Sequence, residues 1–223
     1  MAKARLLASA LVLTPPLLLA LPAGAQAATA PSSASAPAAA AVQIPQSGSP
    51  VEIATLKKLK LTGQKQSTNY YCAPASVRAV ISTWGRHLPS QKTLAGYMKT
   101  TKKNGTASDR VPDGLNRALS PRLDERYMNF HPNNAGFVWN VVVDNVGKRH
   151  HAVIARVLFG YKPWGRHTGD KTGHVMVIYG YNTAGKKLYW YDPWDNTRHT
   201  ASLTASWNAI NKGNRYITAQ PHT

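Results

Sequence analysis

The stretch Gln66-Ser67-Thr68-Asn69-Tyr70-Tyr71-Cys72-Ala73-Pro74-Ala75 contains the only cysteine of the 223-residue chain. Beyond it, Val77, Val80, Ile81 and Trp84 recur at helical spacing on one face, which predicts a helix. Pro74 suits a first turn and Gly85 suits a helix end. Cys72 is therefore expected at or just before a helix N-terminus, where the macrodipole favours negative charge. A thiol is a nucleophile only as its thiolate. A helix N-terminus and a nearby imidazolium are the two standard devices that produce one.

The N-terminal side explains why an unpaired thiol stands out. Lys3 and Arg5 precede an uncharged run from Leu6 to Val51, and its leucine-rich opening, Leu6 to Leu21, is broken by Pro15-Pro16. Ala25-Gln26-Ala27 fits a signal-peptidase site, so residues 1–27 are expected to be a cleaved secretory signal rather than a membrane anchor. Residues 28–50 are almost all Ala, Ser, Pro, Gly and Gln, with almost nothing to bury. They read as a disordered linker or pro-segment. Residues 51–223 remain as a single globular domain of ordinary length. An exported protein normally uses cysteines in disulfide pairs. A single one is either a small buried hydrophobe or a reactive thiol.

The formal net charge is +18. Taking Lys3 and Arg5 off the 27 basic residues, against 9 acidic ones, leaves +16 for the part after the signal. The excess is scattered over Lys57-Lys58, Lys60, Lys102-Lys103, Lys148-Arg149 and Lys186-Lys187. No run has the density of a nucleic-acid tract, so no nucleic-acid partner is expected. A solvated basic surface with loose attraction to anionic cell-wall polymers fits a secreted or wall-associated protein.

The period of the chain changes halfway. A second helix is predicted from Ser90, with Leu94, Tyr97 and Met98 inward. Asp113 reads as the cap of a third, carrying Leu115 and Leu119, and Gly136 to Val146 as a fourth. From there Ala152–Phe159, Gly173–Tyr181 and Lys187–Asp192 are rich in Val, Ile and Tyr and predict strands, the last two joined by a turn at Asn182-Thr183-Ala184-Gly185. Ser202 to Ile210 fits a strand or a helix equally. Helices first and an antiparallel sheet afterwards is an α+β plan.

Candidate partners for the thiol lie in the sheet. His174 opens the apolar strand Gly173–Tyr181, a rigid support for a base facing a cleft. Asp192 ends the next strand. If these two strands form a hairpin, Asp192 returns beside His174 and can fix the imidazole's tautomer and orientation. Asp195 is the fallback. Acyl transfer also needs donors at the developing oxyanion. The Gln66 side-chain amide and the Cys72 backbone N–H would supply two, with Gln64 as a competitor. His150 and His151 lack acidic or cysteine companions and make a poor metal site. Tyr161, Trp164 and Trp194 could line a substrate pocket.

The order Gln66, Cys72, His174, Asp192, together with Tyr71-Cys72-Ala73-Pro74-Ala75 and Asp192-Pro193-Trp194, resembles the papain-like cysteine peptidases. It is most similar to their bacterial double-glycine leader peptidase branch, which has stand-alone secreted relatives. The resemblance spans roughly residues 60–215. It implies a papain-like α+β fold, with the nucleophile helix packed against a C-terminal antiparallel sheet. It further implies Gln66 as oxyanion donor, Cys72 as nucleophile, His174 as base and Asp192 as orienting group, acting on peptide or protein substrates without a metal or organic cofactor. Ala73 departs from the glycine that many members of that branch carry after the cysteine. No transporter domain of the kind that accompanies dedicated leader peptidases is present, so a stand-alone secreted peptidase is expected. The same residues would also serve acyl or amide transfer or cleavage of a cell-wall peptide, and a basic wall-binding module on an inactive scaffold is the non-catalytic alternative.

Overall fold

The computed structural model describes residues 55–221 except residue 122. The signal and linker expected over residues 1–50 lie outside the described residues. Those described fall in one compact unit, Pro50–Thr223. After a short strand β1 (Leu56–Lys58), the chain forms helices α1 (Cys72–Ser82), α2 (Gln91–Tyr97) and α3 (Val111–Leu119). Strand β2 (Met128–Phe130) follows, then α4 (Ala135–Val142), which runs into a π-helical segment, Val143–Lys148. Strands β3 (Val153–Leu158), β4 (Gly173–Asn182), β5 (Lys187–Asp192) and β6 (Thr197–Ser202) lead to α5 (Leu203–Lys212) and β7 (Ile217–Ala219).

All strand pairs are antiparallel, in the order β2-β7-β3-β4-β5-β6, and β1 pairs with the far end of β4. Helices cover both faces of the sheet. On one, Val77, Val80 and Ile81 of α1, Leu94 of α2 and Leu115 of α3 pack on Ile154, Val175, Val177 and Tyr191. On the other, Val138 and Val142 of α4 and Ile210 of α5 pack on Val153, Met176, Ile178 and Trp190. The alternation of Val175 and Val177 with Met176 and Ile178 is the two-residue period of a strand buried on both faces. Trp190 is fully buried and donates from Nε1 to Ser206 Oγ at 3.1 Å. Truncating such a side chain costs about 3–5 kcal/mol.

The α+β plan expected from the sequence is the plan observed, with local differences. Asp113 does not cap α3. It lies inside the first turn, behind a 3-10 turn at Ser108–Arg110, where a carboxylate still complements the helix dipole. The ambiguous segment from Ser202 resolves as a boundary. Ser202 ends β6 and caps α5, its side chain accepting from Ala205 N. In β4, the register with β5 shifts between Ile178 and Gly180, and β1 lies so close that a Cβ on Gly180 would sit 2.7 Å from Lys57 O.

Candidate active site

Cys72 is the first residue of α1, capped by Tyr71 without a side-chain bond. The backbone N–H groups of this first turn have no partner within the helix. A buried hydrogen bond from Ser76 Oγ to Val175 O, 2.9 Å long, ties α1 to β4 one residue beyond His174. It fixes the height of Cys72 over the strand.

His174 is 2% exposed and pairs with Val157 of β3. Its Nε2 lies 2.7 Å from Asp192 Oδ1. The hairpin register explains that contact. Val177 faces Tyr191, so one step further Asp192 lies diagonal to His174 on the same side of the pleat. With Nε2 turned to Asp192, Nδ1 is the ring nitrogen left for Cys72, whose thiol is electrostatically coupled to the ring.

Burial alone would push the Cys72 thiol up. The hydrogen bond and charge of His174, with backbone hydrogen bonds at Val175 and Ala73, outweigh it and hold the thiol below its ordinary 9.0. Burial likewise opposes a charged His174, but Asp192 and the Cys72 thiolate raise it to about 9. The desolvation of Asp192 is overcome by His174, Lys162 and Trp194, and its carboxyl titrates far below the usual carboxylate range. All three directions favour a thiolate beside an imidazolium, held by a carboxylate.

Asp192 has no exposed surface and is saturated with donors. Oδ1 also accepts from Trp194 N at 2.9 Å, and Oδ2 lies 2.6 Å from Lys162 Nζ. Phe159 completes the enclosure. Its ring meets His174 edge-on at 5.2 Å and Trp194 at 5.0 Å, and Lys162 Nζ stands 4.3 Å from its centroid. Phe159 and Lys162 come from the β3–β4 connection, which is zipped on itself by Phe159 N to Thr172 O (2.7 Å), Gly160 N to Asp170 O (2.9 Å) and Thr168 N to Gly160 O (3.0 Å). Sequence reasoning did not find Lys162 or Phe159. A lone lysine in a Gly- and Lys-rich loop carries no periodic signal, and only the fold brings it to Asp192.

Gln66 is buried on the loop before α1, and its backbone N–H donates to Pro193 O at 2.7 Å, joining that loop to the Asp192 turn. One side-chain amide proton goes to Thr68 O at 2.7 Å, while Oε1 is buried without a partner. Gln64 points elsewhere: its Oε1 accepts from Gln91 Nε2 at 3.1 Å, and its backbone exchanges hydrogen bonds with Tyr191 Oη. Asp195, the fallback, is exposed and accepts from Thr197. Trp194 borders the hollow beside Gln66, as a pocket-lining role requires. Tyr161 and Trp164 instead line a separate cavity of about 480 Å³ against α5. His151 stacks on Trp84 at 3.5 Å. Among the described residues no group of His, Cys, Asp and Glu could hold a metal ion.

Comparison with known proteins identifies the family and the fold. The profile of the Peptidase C39 like family matches residues 58–220. A search of curated sequences finds no match. Among solved structures, a C39-like peptidase from Bacillus anthracis superposes with a TM-score of 0.54 at 10% identity, covering 76% of this chain and 98% of its own. The peptidase domain of Streptococcus ComA, a bifunctional ABC transporter involved in quorum sensing, gives 0.51 at 18% identity, covering 74% and 98%. At such identities these likenesses speak for the fold.

Proposed function

The chain belongs to the C39-like peptidase family and is a cysteine-type peptidase, and we propose that it is exported and hydrolyses peptide bonds with Cys72 as nucleophile, His174 as general base and acid, Asp192 as orienting group and Gln66 as oxyanion donor. The observation that carries this reading is His174, buried with Nε2 2.7 Å from Asp192 Oδ1 and its charge coupled to the Cys72 thiol.

In the proposed cycle the Cys72 thiolate attacks the scissile carbonyl carbon and forms the C–S bond. The carbonyl oxygen takes the negative charge and meets the Cys72 backbone N–H and the remaining amide proton of Gln66. His174 gives its proton to the leaving amine as the C–N bond breaks, leaving a thioester. Water, deprotonated by His174, then attacks the thioester, releases the carboxylic acid and restores the thiolate–imidazolium pair. Asp192, pinned by three donors, keeps the ring in one orientation through both steps. Phe159 and Trp194 shield the His174–Asp192 pair from water, which strengthens it.

Export rests on the N-terminal sequence, with Lys3 and Arg5 before the leucine-rich run and Ala25-Gln26-Ala27. Digestion of casein and peptide mixtures, followed by mass spectrometry, tests the chemistry. The wild type is expected to cut and Cys72→Ala to be silent, and equal activity of the two would end the mechanism. Expression of the full chain in a secreting bacterial host tests export. A new N-terminus near Ala28 is expected, and cell-retained protein with an intact N-terminus would refute it.

A further inference from the structure

Beside Cys72 a cleft of about 340 Å³ runs along Gly173 and Val175 and is lined by Lys102, Lys103 and Arg156 with no carboxylate. We propose that this cleft is a subsite for carboxylate groups, so that the substrate is an acidic peptide whose charges lie close to the scissile bond. The proposal deepens the peptidase reading and rests on it for the word substrate.

Arg156 is the fixed element. It projects from β3, and its Nη1 donates to Gly213 O at 2.7 Å. Its guanidinium lies against the backbone at Gly173, next to His174. A Cβ on Gly173 would sit 2.6 Å from Nη2 and 3.2 Å from Cζ, so the glycine lets the guanidinium lie close against this backbone. The anchoring consumes one N–H of a five-donor fork. Among the described residues no ion pair satisfies the rest. A guanidinium held in place with free donors is matched to a carboxylate, which it can bind in two-point fashion.

Lys102 and Lys103 also line the cleft, both exposed. They are carried by a closed turn. Thr101 and Gly105 exchange two backbone hydrogen bonds of 2.9 Å, and the hydroxyls of Thr100 and Thr106 meet at 2.6 Å. The turn lies over the residues leading to Cys72, with Gly105 facing the Tyr70 carbonyl. Three cations around a concave floor, none paired with an acid, raise the local concentration of an anionic chain and set its register.

Carboxylates reach such a cleft either from Asp and Glu side chains or from a free C-terminus, and the test separates them. Peptide binding is measured by fluorescence anisotropy on Cys72→Ala, so that nothing is cleaved. Two N-acetylated, C-amidated peptides differ only in glutamate against glutamine at three central positions, and a third is the glutamine peptide with a free C-terminal carboxylate. The glutamate peptide is expected to bind about tenfold tighter than its amidated glutamine partner. Lys102→Glu/Lys103→Glu, made in the same background, should abolish that advantage, and Arg156→Gln should weaken it. Lys186→Glu/Lys187→Glu, an equal charge change elsewhere on the surface, should leave it intact. Tight binding of the free-carboxylate peptide alone assigns the subsite to a chain terminus. Equal binding of all three peptides, or equal loss in the remote Lys186/Lys187 variant, overturns the proposal. Absence of cleavage by the wild type would refute the peptidase reading while the binding result still stood.

Discussion

Lys162 Nζ lies 2.6 Å from Asp192 Oδ2, on the far side of the carboxylate from His174. Asp192 therefore divides its charge between a permanent cation and a titratable ring. Lys162 opposes the imidazolium, since both are positive and both draw on one carboxylate. Lys162→Met is expected to move the alkaline limb of kcat/KM to higher pH, while Lys162→Arg leaves it nearly in place. The pH profiles of the three proteins decide this, because a merely structural lysine would change amplitude without moving the limb.

The wild-type profile itself should be bell-shaped. The active pair requires a Cys72 thiolate, which forms below the ordinary thiol value, and a His174 imidazolium, which survives to about pH 9. Activity rises as the thiol ionises and falls as pH passes through about 9. Rapid alkylation by iodoacetamide at mildly acidic pH reports the same thiolate without a substrate. A sluggish reaction there would refute an activated Cys72.

Cys72→Ala and His174→Ala are each expected to lower kcat by roughly five to six orders of magnitude, and the double variant by no more than either alone, because the two act as one unit. Single-turnover assays on one peptide substrate test this. Independent, multiplying losses would show that the residues do not share a step.

Gly160 sits at the waist of the β3–β4 connection, where a Cβ would collide with the backbone nitrogen of Asp170 and sit 2.7 Å from Thr168 Oγ1. Gly160→Ala should destabilise the protein by about 2 kcal/mol. It should cost activity out of proportion, because the same connection delivers Lys162 and Phe159 to the site. Urea unfolding and peptide hydrolysis on the same samples check the two halves of this prediction.

His151 is held down to about 4 by burial, the neighbouring His150 and Arg149 adding to the effect against a backbone hydrogen bond. Its Nδ1 is buried without a partner, and its ring stacks on Trp84, whose Nε1 donates to Tyr127 Oη at 2.9 Å. A histidine whose folded value is depressed binds its proton more readily when unfolded. Stability is therefore lost as pH falls from about 6.5 towards about 4. His151→Phe keeps the stack and should flatten the urea midpoint across that window.

The sequence was legible where period and chemistry coincide. Helix α1 announces itself through Val77, Val80 and Ile81, and β4 and β5 through their Val, Ile and Tyr content. The turn between those strands pairs them, but the one-residue register shift between Ile178 and Gly180, which brings Asp192 to the same side as His174, left no mark in the sequence. Strands β1, β2 and β7 are three residues each, too short to show an alternation; β1 and β7 form on the longer β4 and β3, and β2 on β7. The roles of Lys162 and Phe159 depend on where the β3–β4 connection lands, and that of Arg156, on β3, on the glycines packed against it. Tyr161 and Trp164 show the reverse failure. Their aromatic character suggested the pocket beside the thiol, but Gly160 turns the connection so that they face α5.

The proposed nucleophile belongs to the first helix and the proposed base and carboxylate to the hairpin, about a hundred residues later in the chain. Until the two layers meet, as the Ser76 to Val175 bond marks, Cys72 is an ordinary sulfhydryl with no neighbour to ionise it. An unfolded chain therefore carries no cutting activity towards itself or its neighbours. The proposed chemistry needs both layers in place together.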